Sequence, residues 1–257
     1  MGSLGEVKAA IAALVDSLEA PRIYSPLQEP PPMSDQQARC AVVKAVEGAD
    51  VKSLSTLLRA NKVDLASVDE GVSILHRAIQ LGNDSVVERL LFSMDEAGWS
   101  ATKFHSISGD LMETTLARRF NTATKTDGYR PLHYAVIAGS EKIVRQLIAR
   151  GSACDMLSSN ARRVSPFLLA CELGADELIR AMSQSTKGSC LGGIDANDAN
   201  GLHLAALNGH LSTCDLLMQL MPQLALGESL GGKTPAAIAF ECNQLEIAAL
   251  INQLTTC

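Results

Sequence analysis

Of the five histidines, His76, His133 and His203 recur at one repeated position and His210 follows a glycine, which leaves His105, with Ser106, Ser108 and Asp110 all falling within six positions. Hydroxyl, imidazole and carboxylate are the parts of a hydrolytic site, where the imidazole takes the hydroxyl proton and the carboxylate orients the ring. Three such residue types so close together are also the ordinary content of a polar loop. No H-E-x-x-H, G-x-S-x-G or phosphate-binding P-loop pattern occurs in the sequence. No catalytic residue is assigned.

Seven cysteines (Cys40, Cys154, Cys171, Cys190, Cys214, Cys242 and Cys257) are scattered without any C-x-x-C pair. Their number is odd and several sit in apolar helical patterns, so reduced, buried, structural thiols are expected. Cys190 with Asp195 or His203 lacks metal-ligand spacing, and the glycine-rich run Gly188 to Gly193 lacks the Lys-Ser/Thr of a phosphate cradle. No metal and no cofactor are expected. Cys257 is the last residue of this sequence, and no prenylation box is expected.

Charge narrows the function classes further. With Lys+Arg 22 against Asp+Glu 28 the net charge is −6, and the cations are scattered singly. Nucleic-acid binding needs a cationic stripe that displaces condensed counterions, so it is not expected. The longest apolar stretches, such as Ala9 to Val15, fall far short of the ~20 residues that cross a bilayer, and Glu6 stands where a signal peptide carries positive charge. The chain reads as soluble, monomeric and cytoplasmic, with the nucleus also open to it. An apolar fraction of 47% with aromatics at 4% points to a core of Ala and Leu.

The elements that position these residues follow from self-similarity. Sliding Gly128 to Gly139 along the chain places equivalents of His133 at Val43, His76, Leu168, His203 and Ala237, in steps of 33, 57, 35, 35 and 34 residues. Two positions after this origin stand Ala45, Ala78, Ala135, Ala170, Ala205 and Ala239, although Ala makes up only 34 of 257 residues. Six positions after it stand Ala49, Gly82, Gly139, Gly174, Gly209 and Asn243, where a helix ends in a left-handed residue.

Each unit opens with a short helix, started in two copies by Ser165-Pro166 and Thr234-Pro235, where Pro at the first helical position loses no needed N–H. A second helix follows the turn, with apolar pairs such as Val86/Val87 and Leu90/Leu91, Ile143/Val144 and Leu147/Ile148, or Thr213/Cys214 and Leu217/Met218. Loops rich in Asp, Asn and Gly (Asp69 to Gly71, Asp127-Gly128, Asp195 to Gly201) join the units.

This unit resembles the ankyrin repeat. Its T-P-L-H-x-A motif is matched by Arg130-Pro131-Leu132-His133-Tyr134-Ala135, and in part by Ser73 to Ala78 and Ser165-Pro166-Phe167. The resemblance covers roughly residues 35 to 257 outside the segment near 99 to 125. It implies an all-α, ankyrin-type helix-turn-helix solenoid of about six repeats with short hairpin loops. Departures at Leu168, Asn200-Gly201 and Ala236-Ala237 are expected to weaken local hydrogen bonding while leaving the fold intact. The first unit (Gln36 to Val68) and the last (Gly231 to Leu254) carry the polar substitutions of capping repeats.

Two segments lie outside the pattern. Residues 1 to 20 are expected to form an amphipathic helix with Val7, Ala10, Ile11, Leu14, Val15 and Leu18 on one face, followed by a Pro-rich linker at 21 to 34. An insertion at about 99 to 125 holds Trp99, Phe104 and an apolar helical pattern through Leu111, Met112, Leu116 and Phe120. Each either packs on the array or binds a partner.

In ankyrin proteins, contacts to partners come from the loops and from the exposed side of the first helix, four and five residues after the origin. Carried over by position, the resemblance implies Asp69, Glu70, Val72, Gln80 and Leu81, then Asp127, Tyr129 and Ile137. It continues through Arg162, Val164, Glu172 and Leu173 to Asn197, Leu207 and Asn208. Val72, Leu81, Tyr129, Ile137, Val164, Leu173 and Leu207 would line a continuous apolar strip. The implied function is a non-catalytic adaptor or scaffold that binds another protein through the concave face. The alternatives are a chaperone-like assembly factor, or a small enzyme or ligand-binding protein with a pocket between insertion and array.

Overall fold

The computed structural model describes residues 34–60, 68–69, 72–96, 123–155, 157–229 and 231–255. The amphipathic segment at 1 to 20, the linker up to residue 33 and most of the insertion lie outside them.

Among the described residues, helices come in six successive pairs. They are α1 (Asp35–Glu47) with α2 (Val51–Ala60), α3 (Ile74–Gln80) with α4 (Asp84–Glu96), and α5 (Pro131–Ile137) with α6 (Glu141–Ala149). After them come α7 (Pro166–Leu173) with α8 (Asp176–Thr186), α9 (Gly201–Leu207) with α10 (Leu211–Leu220), and α11 (Pro235–Glu241) with α12 (Leu245–Thr255). A 3-10 turn over Pro222–Leu226 follows α10. The only sheet among these residues is a two-residue antiparallel hairpin, β1 (Val68–Asp69) with β2 (Val72–Ser73), pairing Val68 with Ser73 and Asp69 with Val72.

The turn inside each pair obeys one rule. Ala49, Gly82, Gly139, Gly174, Gly209 and Asn243 all have positive φ, between 53° and 76°. In five of the six the next residue donates its N–H back to the repeated alanine, Asp50 to Ala45, Ser140 to Ala135, Ala175 to Ala170, His210 to Ala205 and Gln244 to Ala239. This is the six-to-one closure that satisfies orphan carbonyls at a helix end. The alanine therefore does two jobs. Its carbonyl closes the turn, and its small buried side chain lets neighbouring first helices approach.

First helices start on side-chain caps. Ser73 Oγ accepts from His76 N, Ser165 Oγ from Leu168 N, and Thr234 Oγ1 from Ala237 N. The Asn200-Gly201 departure does not weaken its unit as the sequence suggested. Asn200 Oδ1 accepts from both Leu202 N and His203 N, and its Nδ2 donates to Leu224 O at 2.8 Å. Gly201 is required there, because a Cβ would stand 2.8 Å from Cys171 Sγ on the preceding first helix.

One continuous apolar cluster runs from Val42 to Ile251, with Phe167 its largest fully buried member. Stacking each pair on the next gives helices this short a core that none could build alone. Two expectations about the ends need correction. Cys40 and Cys242, in the outermost described pairs, are exposed, unlike buried Cys154, Cys171, Cys190 and Cys214. The last pair is not uniformly polar outside either. Its Phe240 is 68% exposed at the register where Ile79, Val136, Cys171 and Ala206 are covered by the next unit.

Candidate functional site

The face made by the first helices and the loops is fixed from within by imidazoles. Arg130 N donates to His133 Nδ1 at 3.2 Å, so the ring proton sits on Nε2, which donates to Val164 O at 2.8 Å. His203 repeats the arrangement between Asn200 N and Lys233 O, at 3.1 and 3.0 Å. Each ring ties its own helix start to the loop of the following unit. Burial drives the His133 pKa down to about 4 against the pull of Val164 O, and burial likewise lowers that of His203. Both rings are therefore neutral near pH 7. His210 anchors the helix layer in a different way, donating from Nε2 to Glu172 O at 2.9 Å.

Loop geometry is set by carboxylates and amides. Asp127 accepts from the hydroxyls of Thr124 and Tyr134 and from Tyr129 N. Its burial favours the neutral acid, but these three donors outweigh that and hold its pKa below the usual carboxylate range. The same desolvation, with the Asp127 hydrogen bond, raises the Tyr134 pKa to about 12. Asn160 Nδ2 donates to Asp127 O at 2.8 Å and links this loop to the next. Gly128, at φ +71°, is needed at that crossing, where a Cβ would lie 2.7 Å from Asn160 N.

The positions implied for partner contact separate into three groups. Leu81 (51% exposed), Ile137 (52%), Leu173 (48%) and Leu207 (50%) stand out from the first-helix layer of four successive units. Gln80, Arg162, Asn197 and Asn208 are exposed beside them. Glu172 is half-buried, and its carboxylate is held by Arg162 Nη2 at 2.6 Å.

The second group is structural. Val164 is fully buried and leaves the strip, since its side chain joins the core while its carbonyl receives His133. Tyr129 is half-buried and stacks on His133, with ring centroids 5.0 Å apart and planes 8° from parallel. Asp127 spends both carboxylate oxygens inside the loop. The third group lies at the first hairpin. Val72 is half-buried on β2, the Asp69 backbone pairs with it, and Glu70 and the Asp69 side chain lie outside the described residues.

Sequence reasoning missed a groove of about 480 Å³ between the last two units. Leu204, Leu207, Ala199 and Ile238 give it apolar walls, and Asp195, Asn197 and Ser229 edge it. No spacing signal marks it, since the connection from α10 to α11 is as long as that from α8 to α9. Among the described residues, no group of three or more His, Cys, Asp or Glu side chains could hold a metal ion. No helix among them is long and apolar enough to cross a membrane.

Comparison with known proteins agrees with this architecture. A family model described as ankyrin repeats (3 copies) matches residues 38–158. The NF-kappa-B inhibitor alpha of Homo sapiens is 36% identical over 94 residues, covering 35% of this chain and 29% of that protein. The Sus scrofa form is 35% identical over the same length and shares. The chain thus spans under a third of the length of these relatives. A chain in the solved complex of the Bd0816 predatory endopeptidase from Bdellovibrio bacteriovorus with immunity protein Bd3460 superposes with a TM-score of 0.63 at 20% identity. That match covers 83% of this chain and 97% of the other. Stacked pairs and left-handed turns extend the arrangement of the matched residues, and residues 38–158 carry ankyrin repeats.

Proposed function

We propose that the chain is a non-catalytic adaptor that binds a partner protein through its first-helix and loop face, the concave face of an ankyrin array. One observation carries this reading. Leu81, Ile137, Leu173 and Leu207 are each about half exposed, in four successive units, at the positions that do not contribute to stacking. An apolar row of this kind, edged by Gln80, Arg162, Asn197 and Asn208, has the apolar centre and polar rim of a binding surface. The imidazole ties and the Asp127 and Asn160 links hold it rigid, so little entropy is lost on association. The relatives are inhibitors of NF-kappa-B by name, which supports a protein as the ligand class.

Affinity capture from the source cell tests this. Leu81→Ser with Leu173→Ser should deplete the captured partner without lowering thermal stability.

A further inference from the structure

The groove between the last two units has features that select a ligand chemistry. Its floor is apolar, from Leu204 and Leu207 on α9 and Ile238 on α11. One wall is the turn at Ser229, where Ser229 N and Oγ both donate to Lys233 O and Gly232 N donates to Ser229 O at 2.7 Å. The opposite wall is the loop at Asp195. That side chain is 8% exposed yet edges the groove. Its Oδ1 accepts from Asn197 N at 2.7 Å and from Ala199 N at 2.9 Å, while among the described residues Oδ2 takes no hydrogen bond. Oδ2 is not among the buried polar atoms that lack a partner, so it opens to the solvent of the groove and can accept from a bound donor.

Acidic groups outnumber basic ones around the groove. Arg162 is engaged by Glu172 and Lys233 by Glu241, each at 2.6 Å. Asp195 has no ion pair among the described residues, and neither do Asp198, within the same loop, or Glu228, beside Ser229. Arg162 is near enough to interact with Asp195, yet carboxylates outnumber cations, so the groove combines an apolar floor with a net acidic edge.

We propose that this groove seats a Leu- or Met-sized side chain of an extended partner segment, with an adjacent Lys or Arg of that segment paired to Asp195. The proposal rests on the partner-binding reading above and names the chemistry of one end of that face. An acidic or uncharged neighbour would displace water from Oδ2 without supplying a donor and is selected against.

The test uses the full chain labelled with 15N and three blocked short peptides that differ at their centre, Leu-Arg, Leu-Glu and Ala-Arg. The Leu-Arg peptide should shift the amides of Asn197, Ala199, Leu207 and Gly231, and should bind on the order of five- to tenfold more tightly than either of the others. Asp195→Asn preserves the Oδ1 acceptor, so the loop and its amide spectrum should be retained while the preference for Arg over Glu disappears. Leu207→Ser should weaken all three peptides. Equal binding of Leu-Arg and Leu-Glu, an unchanged preference in Asp195→Asn, or no groove shifts with any peptide at millimolar concentration would overturn the proposal. A chain that loses its cellular partner on Leu81→Ser with Leu173→Ser, yet ignores the Arg, keeps the broader reading and refutes this one. Retention of the partner with a clear Arg preference does the reverse.

Discussion

His133 Nε2 donates to the carbonyl of Val164, 31 residues further along the chain and 2.8 Å away, so one imidazole joins the start of a helix to the loop of the next repeat. The ring also accepts from Arg130 N. Replacing it by Leu, the residue found at the equivalent position 168, would leave one backbone acceptor and one donor without partners. His133→Leu should lower stability by about 2 to 4 kcal/mol, measured by urea unfolding. A change under about 0.5 kcal/mol would show that water takes over both bonds.

Acid should weaken the fold through the same rings. Unfolded histidine titrates near 6.5, whereas folded His133 titrates at about 4 and His203 is also lowered. Between these values the unfolded chain binds more protons, so stability is complete above about pH 6.5 and is lost as pH falls toward 4. His133 alone accounts for about 3 kcal/mol of this. Stability measured from pH 7.5 to 4.5 should slope downward in wild type, and the slope should be shallower in His133→Leu. Equal slopes would contradict the assignment.

Turn residues offer a graded comparison. Ala49 holds φ 53° with a Cβ, so Ala49→Gly should stabilise by about 0.5 to 1 kcal/mol. Gly82→Ala meets no neighbouring atom and should lose about 1 kcal/mol to backbone strain alone. Gly174→Ala adds a clash, with its Cβ 2.7 Å from His210 Nδ1, and should lose clearly more. Melting temperatures of the three variants should fall in that order.

Much of this was legible in the sequence because repetition averages out local ambiguity. Six copies of one alanine and one turn residue fixed both helix boundaries and turn conformation, down to non-glycine Ala49 and Asn243. The face was less legible, since loop positions depend on which side chains the loop consumes. Val164 and Tyr129 look like exposed apolar choices until His133 is placed between them. Asp127 looks free until Thr124 and Tyr134 reach it. The groove beside Asp195 needed two loops in space, and no spacing within a single repeat could announce it.

Thiol chemistry should follow the corrected burial. Burial raises the pKa values of Cys154, Cys171, Cys190 and Cys214, to about 12 for Cys154 and Cys214, leaving little thiolate. Maleimide labelling of the native chain, mapped by peptide mass spectrometry, should modify Cys40 and Cys242 at least about tenfold faster than these four. Comparable rates would show that the middle repeats open readily.

The central claim is that the first-helix face does the binding. Its most direct measurement is the affinity of the captured partner for three forms of the chain by titration calorimetry: wild type, Leu81→Ser with Leu173→Ser, and Phe92→Ser on second helix α4. Phe92 is 50% exposed, an apolar loss matched to the others but on the other helix layer. The double substitution should weaken binding by about 1 to 3 kcal/mol with an unchanged melting temperature, and Phe92→Ser should leave affinity as it was. Undiminished binding by the double variant, or an equal loss in Phe92→Ser, would contradict the account.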